Sequence, residues 1–324
     1  MPRALITGIT GFIGGYLAQR LVSQGFEVWG SKRWRTAPTG LRQLGVLGSP
    51  HLHIFEGDIL DPGSVSALIQ AAQPDVIFHL AAQSYPKESW SAPWYTFDVN
   101  VRGTVNLFEA VRSSSFRPRI HIPGSAAQYG PAEPTENPIK EQQEFRPSSP
   151  YAVSKCTQEL LARQYRLAYG LDTVVTRSFI HTGPGQGDRC VLQTFCAQAA
   201  RIEAGKQEPM IGVGNLSPVR DFTDVRDVAI AFASVAAAGK AGEAYNIGSG
   251  QGTRIQDLLD MVLKESGAKI EVRVEKARLR PVDEPMLVAD TSKVRRATGW
   301  TAAIPLRQTV KDVLEDWRRQ VREE

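Results

Sequence analysis

The stretch Thr7-Gly8-Ile9-Thr10-Gly11-Phe12-Ile13-Gly14 constrains this chain more than any other. Its glycines recur at every third position, between a short apolar run, Arg3-Ala4-Leu5-Ile6-Thr7, and an amphipathic stretch over residues 12–23. A strand that turns on glycine straight into a helix leaves backbone N–H groups bare at the helix start, where the helix dipole favours an anion. Glycine also lets the chain turn tightly and lets a diphosphate approach the backbone. Such a turn can serve packing alone. Its position between strand and helix points to dinucleotide binding, with Gly8, Gly11, Phe12, Ile13 and Gly14 as contact residues.

The same strand–helix alternation continues. Strands are predicted at residues 26–30, 51–55, 75–80, 119–123 and 172–176, with helices between them, notably 103–112 and 151–169. This pattern implies an α/β fold: a Rossmann-type doubly wound parallel sheet covered on both faces. After about Ser178 the pattern breaks up, and residues 220–235 and 244–247 read as a helix and a strand returning to the main sheet. The expected division is a dinucleotide-binding domain of residues 1–177 plus about 219–250. A smaller C-terminal α/β substrate domain takes about 178–218 plus 251–324. A length of 324 residues suits two cores better than one.

Bulk properties exclude more than they assign. Hydrophobic residues at 42% and charged residues at 22% are ordinary for a globular protein. No apolar run has the length of a membrane span, and Met1-Pro2-Arg3 does not begin a signal peptide, so a cytoplasmic protein is expected. Cys156, Cys190 and Cys196 lack the spacing of a zinc site or a disulfide framework, and no metal is expected. A net charge of +4 is too small and scattered to imply nucleic acid.

The end of the second strand bears on which dinucleotide binds. A carboxylate there would bond a ribose 2′-hydroxyl and repel a 2′-phosphate. The chain instead reads Ser31-Lys32-Arg33-Trp34-Arg35. Arginine can grip a phosphate with two parallel bonds, so NADP(H) is the expected cofactor, held by Arg33 and then Arg35. NAD(H) stays open as an alternative. The GxxGxxG spacing resembles the short-chain dehydrogenase/reductase family. In that resemblance Asp58-Ile59 corresponds to a pair that contacts adenine, and His79-Leu80-Ala81-Ala82 to the loop passing the cofactor ribose, with Leu80, Ala81 and Ala82 as its contact residues.

Tyr151-Ala152-Val153-Ser154-Lys155 is the Tyr-x-x-x-Lys signature of the same family. Residues four apart share one helix face, so phenol and ammonium point into one site. A free tyrosine titrates near pH 10, and a neighbouring Lys⁺ is expected to bring it toward a useful range. In the reductive direction the neutral phenol gives its proton to a carbonyl oxygen as hydride reaches the carbon. Ser125, just past a predicted strand, has a hydroxyl suited to the same oxygen. Ser125, Tyr151 and Lys155 are therefore the candidate catalytic set, with Tyr151 and Lys155 also touching the cofactor.

Further segments narrow the resemblance. Asn100-Val101-Arg102-Gly103-Thr104, Ser149-Pro150, Thr182-Gly183-Pro184-Gly185-Gln186, residues 219–227 and Leu279-Arg280-Pro281 together resemble the GDP-mannose 4,6-dehydratase branch and its sister branch of GDP-4-keto-6-deoxy-D-mannose reductases. A dehydratase must remove a proton from C5 and expel water from C6, which calls for a carboxylate beside the sugar. The chain reads Ser125-Ala126-Ala127-Gln128-Tyr129-Gly130, and a methyl group transfers no protons. Reduction of the 4-keto group, giving GDP-D-rhamnose, needs only Ser, Tyr, Lys and a reduced cofactor. The resemblance puts a GDP-sugar on Ser125, Ala126, Arg220, Arg280 and Asp283, with the arginines suited to diphosphate. Ile180 stands where the family carries an asparagine and cannot make that residue's hydrogen bond. Trp90 and Trp94 either line the sugar pocket or pack a lid.

Two other readings remain open at this stage: a dehydratase or 4-epimerase of the same fold, and a non-catalytic NADP-binding sensor. The resemblance also implies a homodimer joined by a four-helix bundle from helices 103–112 and 151–169, and neither a membrane nor a nucleic-acid partner.

Overall fold

A computed structural model describes residues 1–278 and 284–324. The chain begins β1 (Arg3–Thr7), α1 (Phe12–Ser23), β2 (Glu27–Lys32), α2 (Thr39–Gln43), β3 (Leu52–Glu56), α3 (Pro62–Ala72) and β4 (Val76–His79). Then follow α4 (Pro86–Ser91), α5 (Pro93–Phe97), a π-helical turn (Asp98–Arg102), α6 (Gly103–Ser113), β5 (Arg119–Ser125), α7 (Pro150–Tyr169) and β6 (Thr173–Ser178). The remainder holds β7 (Ile180–Thr182), α8 (Val191–Glu203), β8 (Met210–Val213), β9 (Val219–Asp224), α9 (Val225–Ala238) and β10 (Ala244–Ile247). It ends with β11 (Gly252–Arg254), α10 (Ile255–Ser266), β12 (Glu271–Val274), β13 (Met286–Leu287), α11 (Ser292–Thr298) and α12 (Leu306–Glu323).

Among the described residues, seven strands form one parallel sheet in the order β10-β6-β5-β4-β1-β2-β3. The order reverses between β1 and β4, and the crevice beyond the strand ends at that point is where this architecture receives ligands. Near-continuous apolar runs such as Ala4-Leu5-Ile6 are buried because both faces are covered. Phe78, Leu17, Leu21, Val228 and Phe232 pack one face, with α1 and α9. Leu5, Ile77, Leu107, Phe108, Val111 and Ile120 pack the other, with α3, α6 and α7.

A separate core gathers Phe195, Cys196, Ile211, Leu258, Leu259, Val313, Leu314 and Trp317 from α8, β8, α10 and α12. Beside it, β9 pairs with β7, β11 and β13. This corrects the expected helix over 220–235. Val219-Arg220-Asp221-Phe222-Thr223-Asp224 is a buried strand, and the helix starts only at Val225. Its charged residues argue against a strand by propensity, but strand pairing overrides that preference. Asp224 makes the switch by accepting the Arg226 N–H at 2.9 Å, an N-cap. The strand over 244–247 joins the main sheet at its edge, beside β6.

Candidate active site

The glycine turn closes as its residues require. Gly8 sits at φ +71° and its N–H reaches Ser31 Oγ at 3.3 Å. A Cβ on Gly8 would lie 2.9 Å from the Ala81 backbone, and one on Gly14 would lie 2.7 Å from the Ile9 oxygen. Neither position has room for alanine. Gly11 precedes α1 without a side-chain cap, so the first turn, with Phe12, Ile13 and Gly14, offers N–H groups that no helical carbonyl can take. This cradle suits a diphosphate. Ser31, which anchors it, was not a sequence candidate, because a serine at a strand end carries no distinguishing pattern.

Around the cradle the other cofactor candidates fall in an arc. Arg33 and Arg35 are exposed beyond the end of β2. Arg33 donates to the Tyr95 hydroxyl at 3.1 Å, and Arg35 stacks over Trp34 at 4.3 Å. Asp58 turns inward to accept the Leu60 N–H at 2.9 Å, and Ile59 packs against Gly103. Leu80, Ala81 and Ala82 follow β4, with the Ala81 N–H bonded to Thr7 Oγ1 at 3.1 Å.

That bond opens a buried chain that sequence reasoning did not find. Thr7 Oγ1 meets His79 Nδ1 at 2.9 Å, and His79 Nε2 meets Thr104 Oγ1 at 3.0 Å. Thr104 spends its only hydroxyl proton on the Asn100 carbonyl, at 2.6 Å. His79 must therefore donate from Nε2 and accept at Nδ1. Burial, then the Lys155 charge, pushes His79 down to about 3, so it is neutral. Asn100, in the π-helical turn, binds the Gln83 backbone through both ends of its amide and donates to Ser154 Oγ at 2.9 Å. Ser154 in turn donates to the Tyr151 carbonyl at 2.7 Å. The loop after β4 and the first turn of α7 are thus tied through polar groups with matched donors and acceptors.

Ser149 caps α7 by accepting the Ala152 N–H at 3.1 Å, and Pro150 fills the first turn, where an N–H is not needed. This sets the faces of the helix, so Tyr151 and Lys155 both point inward and are buried. Ser125, at the end of β5, lies close enough to the Tyr151 phenol on α7 to act on its titration. Burial raises the phenol above its ordinary value, and the nearby Ser125 hydroxyl works against it. The expected lowering by Lys155 does not prevail. Burial lowers the Lys155 ammonium to about 8, and its Nζ donates to the Pro123 carbonyl at 2.9 Å.

The face opposite α7 comes from β6 and β7. His181 stacks on Phe12 with ring centroids 6.3 Å apart. Burial lowers it to about 4, and the Lys155 charge adds to that effect. His181 Nδ1 and Ser178 Oγ are buried without a hydrogen-bond partner among the described residues. Orphaned polar atoms at the strand ends, next to Phe12, fit a polar ligand group at that point. His181 too was absent from the sequence candidates. Its neighbour Ile180 drew attention only as a departure from the family.

The substrate candidates are less gathered. Ala126 is buried directly after Ser125. Ala127 follows it, and the loop carboxylates are engaged elsewhere: Glu136 bonds Arg146 and Gln143. Arg220, on β9, is buried, donates to the Val219 carbonyl at 2.9 Å and meets Glu284 at 3.4 Å. Arg280 and Asp283 lie outside the described residues. Trp90 and Trp94 are 65% and 82% exposed on α4 and α5.

Residues 5–313 match the family described as GDP-mannose 4,6 dehydratase. The chain belongs to the GDP-mannose 4,6-dehydratase family. Within the curated proteins it is 32% identical to GDP-6-deoxy-D-mannose reductase of Pseudomonas aeruginosa, covering 99% of both chains. It is 31% identical to GDP-mannose 4,6 dehydratase 2 of Arabidopsis thaliana, over 97% of this chain and 86% of the relative. Of solved structures, that of RMD from Pseudomonas aeruginosa complexed with NADPH superposes with a TM-score of 0.86. The identity is 30%, over 98% of this chain and 99% of that one. Membership makes the chain an enzyme of the short-chain dehydrogenase/reductase type.

Proposed function

We propose that the protein is an NADPH-dependent ketoreductase acting on the 4-keto group of a GDP-4-keto-6-deoxyhexose, converting GDP-4-keto-6-deoxy-D-mannose to GDP-D-rhamnose. The observation that carries this reading is the pair of buried Tyr151 and Lys155 with Ser125 near the phenol, beside a loop in which both Ala126 and Ala127 lack a carboxylate. Likeness to a GDP-6-deoxy-D-mannose reductase supports the substrate class. The relative's complex with NADPH supports a nicotinamide cofactor. Exposed Arg33 and Arg35, with no acidic residue beside them, favour the phosphorylated form.

In this reading the first unit, residues 1–177 with about 219–250, holds the cofactor, and the remainder holds the nucleotide sugar. Gly8, Gly11, Phe12, Ile13 and Gly14 would take the diphosphate and Arg33 and Arg35 the 2′-phosphate. Asp58 and Ile59 would take the adenosine, and Leu80, Ala81, Ala82, Tyr151 and Lys155 the nicotinamide ribose. When bound, the reduced nicotinamide supplies hydride. Ser125 holds the substrate carbonyl oxygen, and Tyr151, kept neutral by burial, delivers its proton to that oxygen. Lys155 supplies positive charge that favours the phenolate left behind. Arg220, Arg280 and Asp283 would hold the GDP moiety.

NADPH oxidation, followed at its absorbance with the keto sugar generated in place by a separate dehydratase, tests the proposal. Stoichiometric oxidation is expected, with a GDP-deoxyhexose product. Tyr151→Phe is expected to lower kcat by about 10²–10⁴-fold while NADPH binding persists. Conversion of GDP-mannose itself would establish a dehydratase instead. NADPH binding without turnover of any keto sugar would leave the sensor reading.

We also propose that the protein is a homodimer through α6 and α7. Val153, Leu160 and Leu167, spaced seven apart on α7, are 38%, 55% and 77% exposed, an apolar stripe fit for a second copy.

A further inference from the structure

Three residues in a row on one face of α7 are Tyr151, Lys155 and Glu159, each four apart. The first two belong to the candidate chemistry, and Glu159 has had no part in it. Its carboxylate turns toward β6 and makes a bidentate pair with Arg177, with Nη2 to Oε1 at 2.5 Å and Nε to Oε2 at 2.9 Å. The two side chains are only 14% and 8% exposed. A buried ion pair is weak support for stability, because removing both charges from water costs about as much as their attraction returns. Its geometry carries more meaning.

Oε2 of Glu159 also accepts the Gln128 amide N–H at 2.9 Å. Gln128 is fully buried in the 3₁₀ turn Ala126–Tyr129 that follows Ser125. Its other end, Oε1, accepts the Ser125 backbone N–H at 2.7 Å, while Ser125 Oγ accepts the Ala127 N–H at 3.2 Å. This is a reciprocal capping box, with glutamine rather than glutamate at the third position. The choice has a physical reason. An amide presents an acceptor to Ser125 and a donor to Glu159, whereas a glutamate would set one carboxylate against another. Gly124 leaves the amide its room, since a Cβ there would lie 2.3 Å from Gln128 Oε1. Arg177 completes the clamp by donating to the Tyr129 hydroxyl at 2.9 Å and to the Glu141 carbonyl at 2.8 Å, on either side of the loop.

We propose that Gln128, held by the Glu159–Arg177 pair, is a positioning residue that fixes the Ser125 hydroxyl relative to the Tyr151 phenol. The helix that carries the phenol thereby also anchors the loop that carries the hydroxyl, so the two cannot drift apart independently. The proposal rests on the reading of Ser125 as the group that holds the reacting carbonyl.

The test is steady-state kinetics on the purified full-length enzyme, using NADPH and the keto sugar generated in place. Gln128→Leu keeps the volume and removes both hydrogen bonds. It is expected to lower kcat by about 10- to 100-fold, the scale of a misplaced reacting group, with the KM for NADPH within about twofold. In a Ser125→Ala background the same substitution is expected to add less than about twofold, because its effect passes through Ser125. Gln128→Glu is expected to lose activity likewise. Gln128→Met, a second substitution that carries no amide and leaves Glu159 with Arg177, is expected to behave as Gln128→Leu does in both backgrounds. An unchanged kcat in Gln128→Leu, or equal losses in both backgrounds, overturns the positioning role while leaving Ser125 at the carbonyl. Native activity in Ser125→Ala overturns the reading of Ser125 itself, and the positioning role with it. Should Gln128→Leu not fold, Gln128→Met read in the same two backgrounds decides.

Discussion

At the scale of single residues, burial acts on Tyr151 and Lys155 in opposite directions. It raises the phenol and lowers the ammonium to about 8, in each case favouring the neutral form. The phenol is therefore a proton donor across the neutral range, as reduction requires. Lys155 leaves a signature in stability. Folded, it titrates near 8, against 10.5 for a free lysine. Between those values the unfolded chain binds the extra proton, so stability rises with pH through that window, and below it the buried charge costs about 3 kcal/mol. Lys155→Met removes the cost. Its melting temperature relative to the native protein, both free of cofactor, is expected to be most favourable near pH 7 and to decline from pH 8 to 10.5. A difference that stays constant with pH would show that Lys155 is not desolvated.

At the scale of elements, the glycine turn and the π-helical turn are each shaped by one neighbouring loop. Gly14→Ala would drive a Cβ into the Ile9 and Gly8 carbonyls, at 2.7 and 2.8 Å. The turn must open, so NADPH affinity measured by fluorescence titration is expected to fall at least about tenfold, with a loss of about 1–3 kcal/mol in urea unfolding. His79 links the same loop to the π-helical turn. His79→Leu leaves the Thr7 hydroxyl proton without its acceptor, while Thr104 keeps its bonds to the Asn100 carbonyl and the Gln158 amide, so a loss of about 1–3 kcal/mol is expected. Because the Ala81 N–H hangs on Thr7, NADPH binding is expected to weaken as well. Native binding with reduced stability alone would confine His79 to packing.

For the molecule as a whole, no helix among the described residues is long and apolar enough to cross a membrane. The apolar stripe on α7 is where the proposed homodimer would place a second copy of the chain. Leu160→Glu places a charge in the middle of that stripe. Sedimentation is expected to show a dimer for the native protein and a monomer for the variant, with little change in thermal stability at equal NADPH. A native monomer would remove the four-helix bundle from consideration. The two lobes are also linked: Tyr16 on α1 donates to the Pro184 carbonyl at 2.9 Å, and Phe12 stacks on His181. The start of α1 is thereby braced by the segment that follows β6.

The sequence by itself determined what local chemistry controls. Strand, glycine turn and helix at residues 3–23 were legible because only glycine satisfies Gly8 at positive φ and Gly14 against two carbonyls. Tyr151 and Lys155 were legible because helical periodicity alone puts them on one face. The parallel sheet followed from alternation of strands and helices, for much the same reason. Tertiary structure decided the rest. Residues 219–224 became a strand through pairing that no local pattern announces. Ser31, His79, Asn100 and Gln128 acquired their places through bonds to residues far away in the chain. The sign of the Tyr151 shift, too, was decided only by folding, since desolvation depends on what surrounds a side chain rather than on its neighbours in sequence.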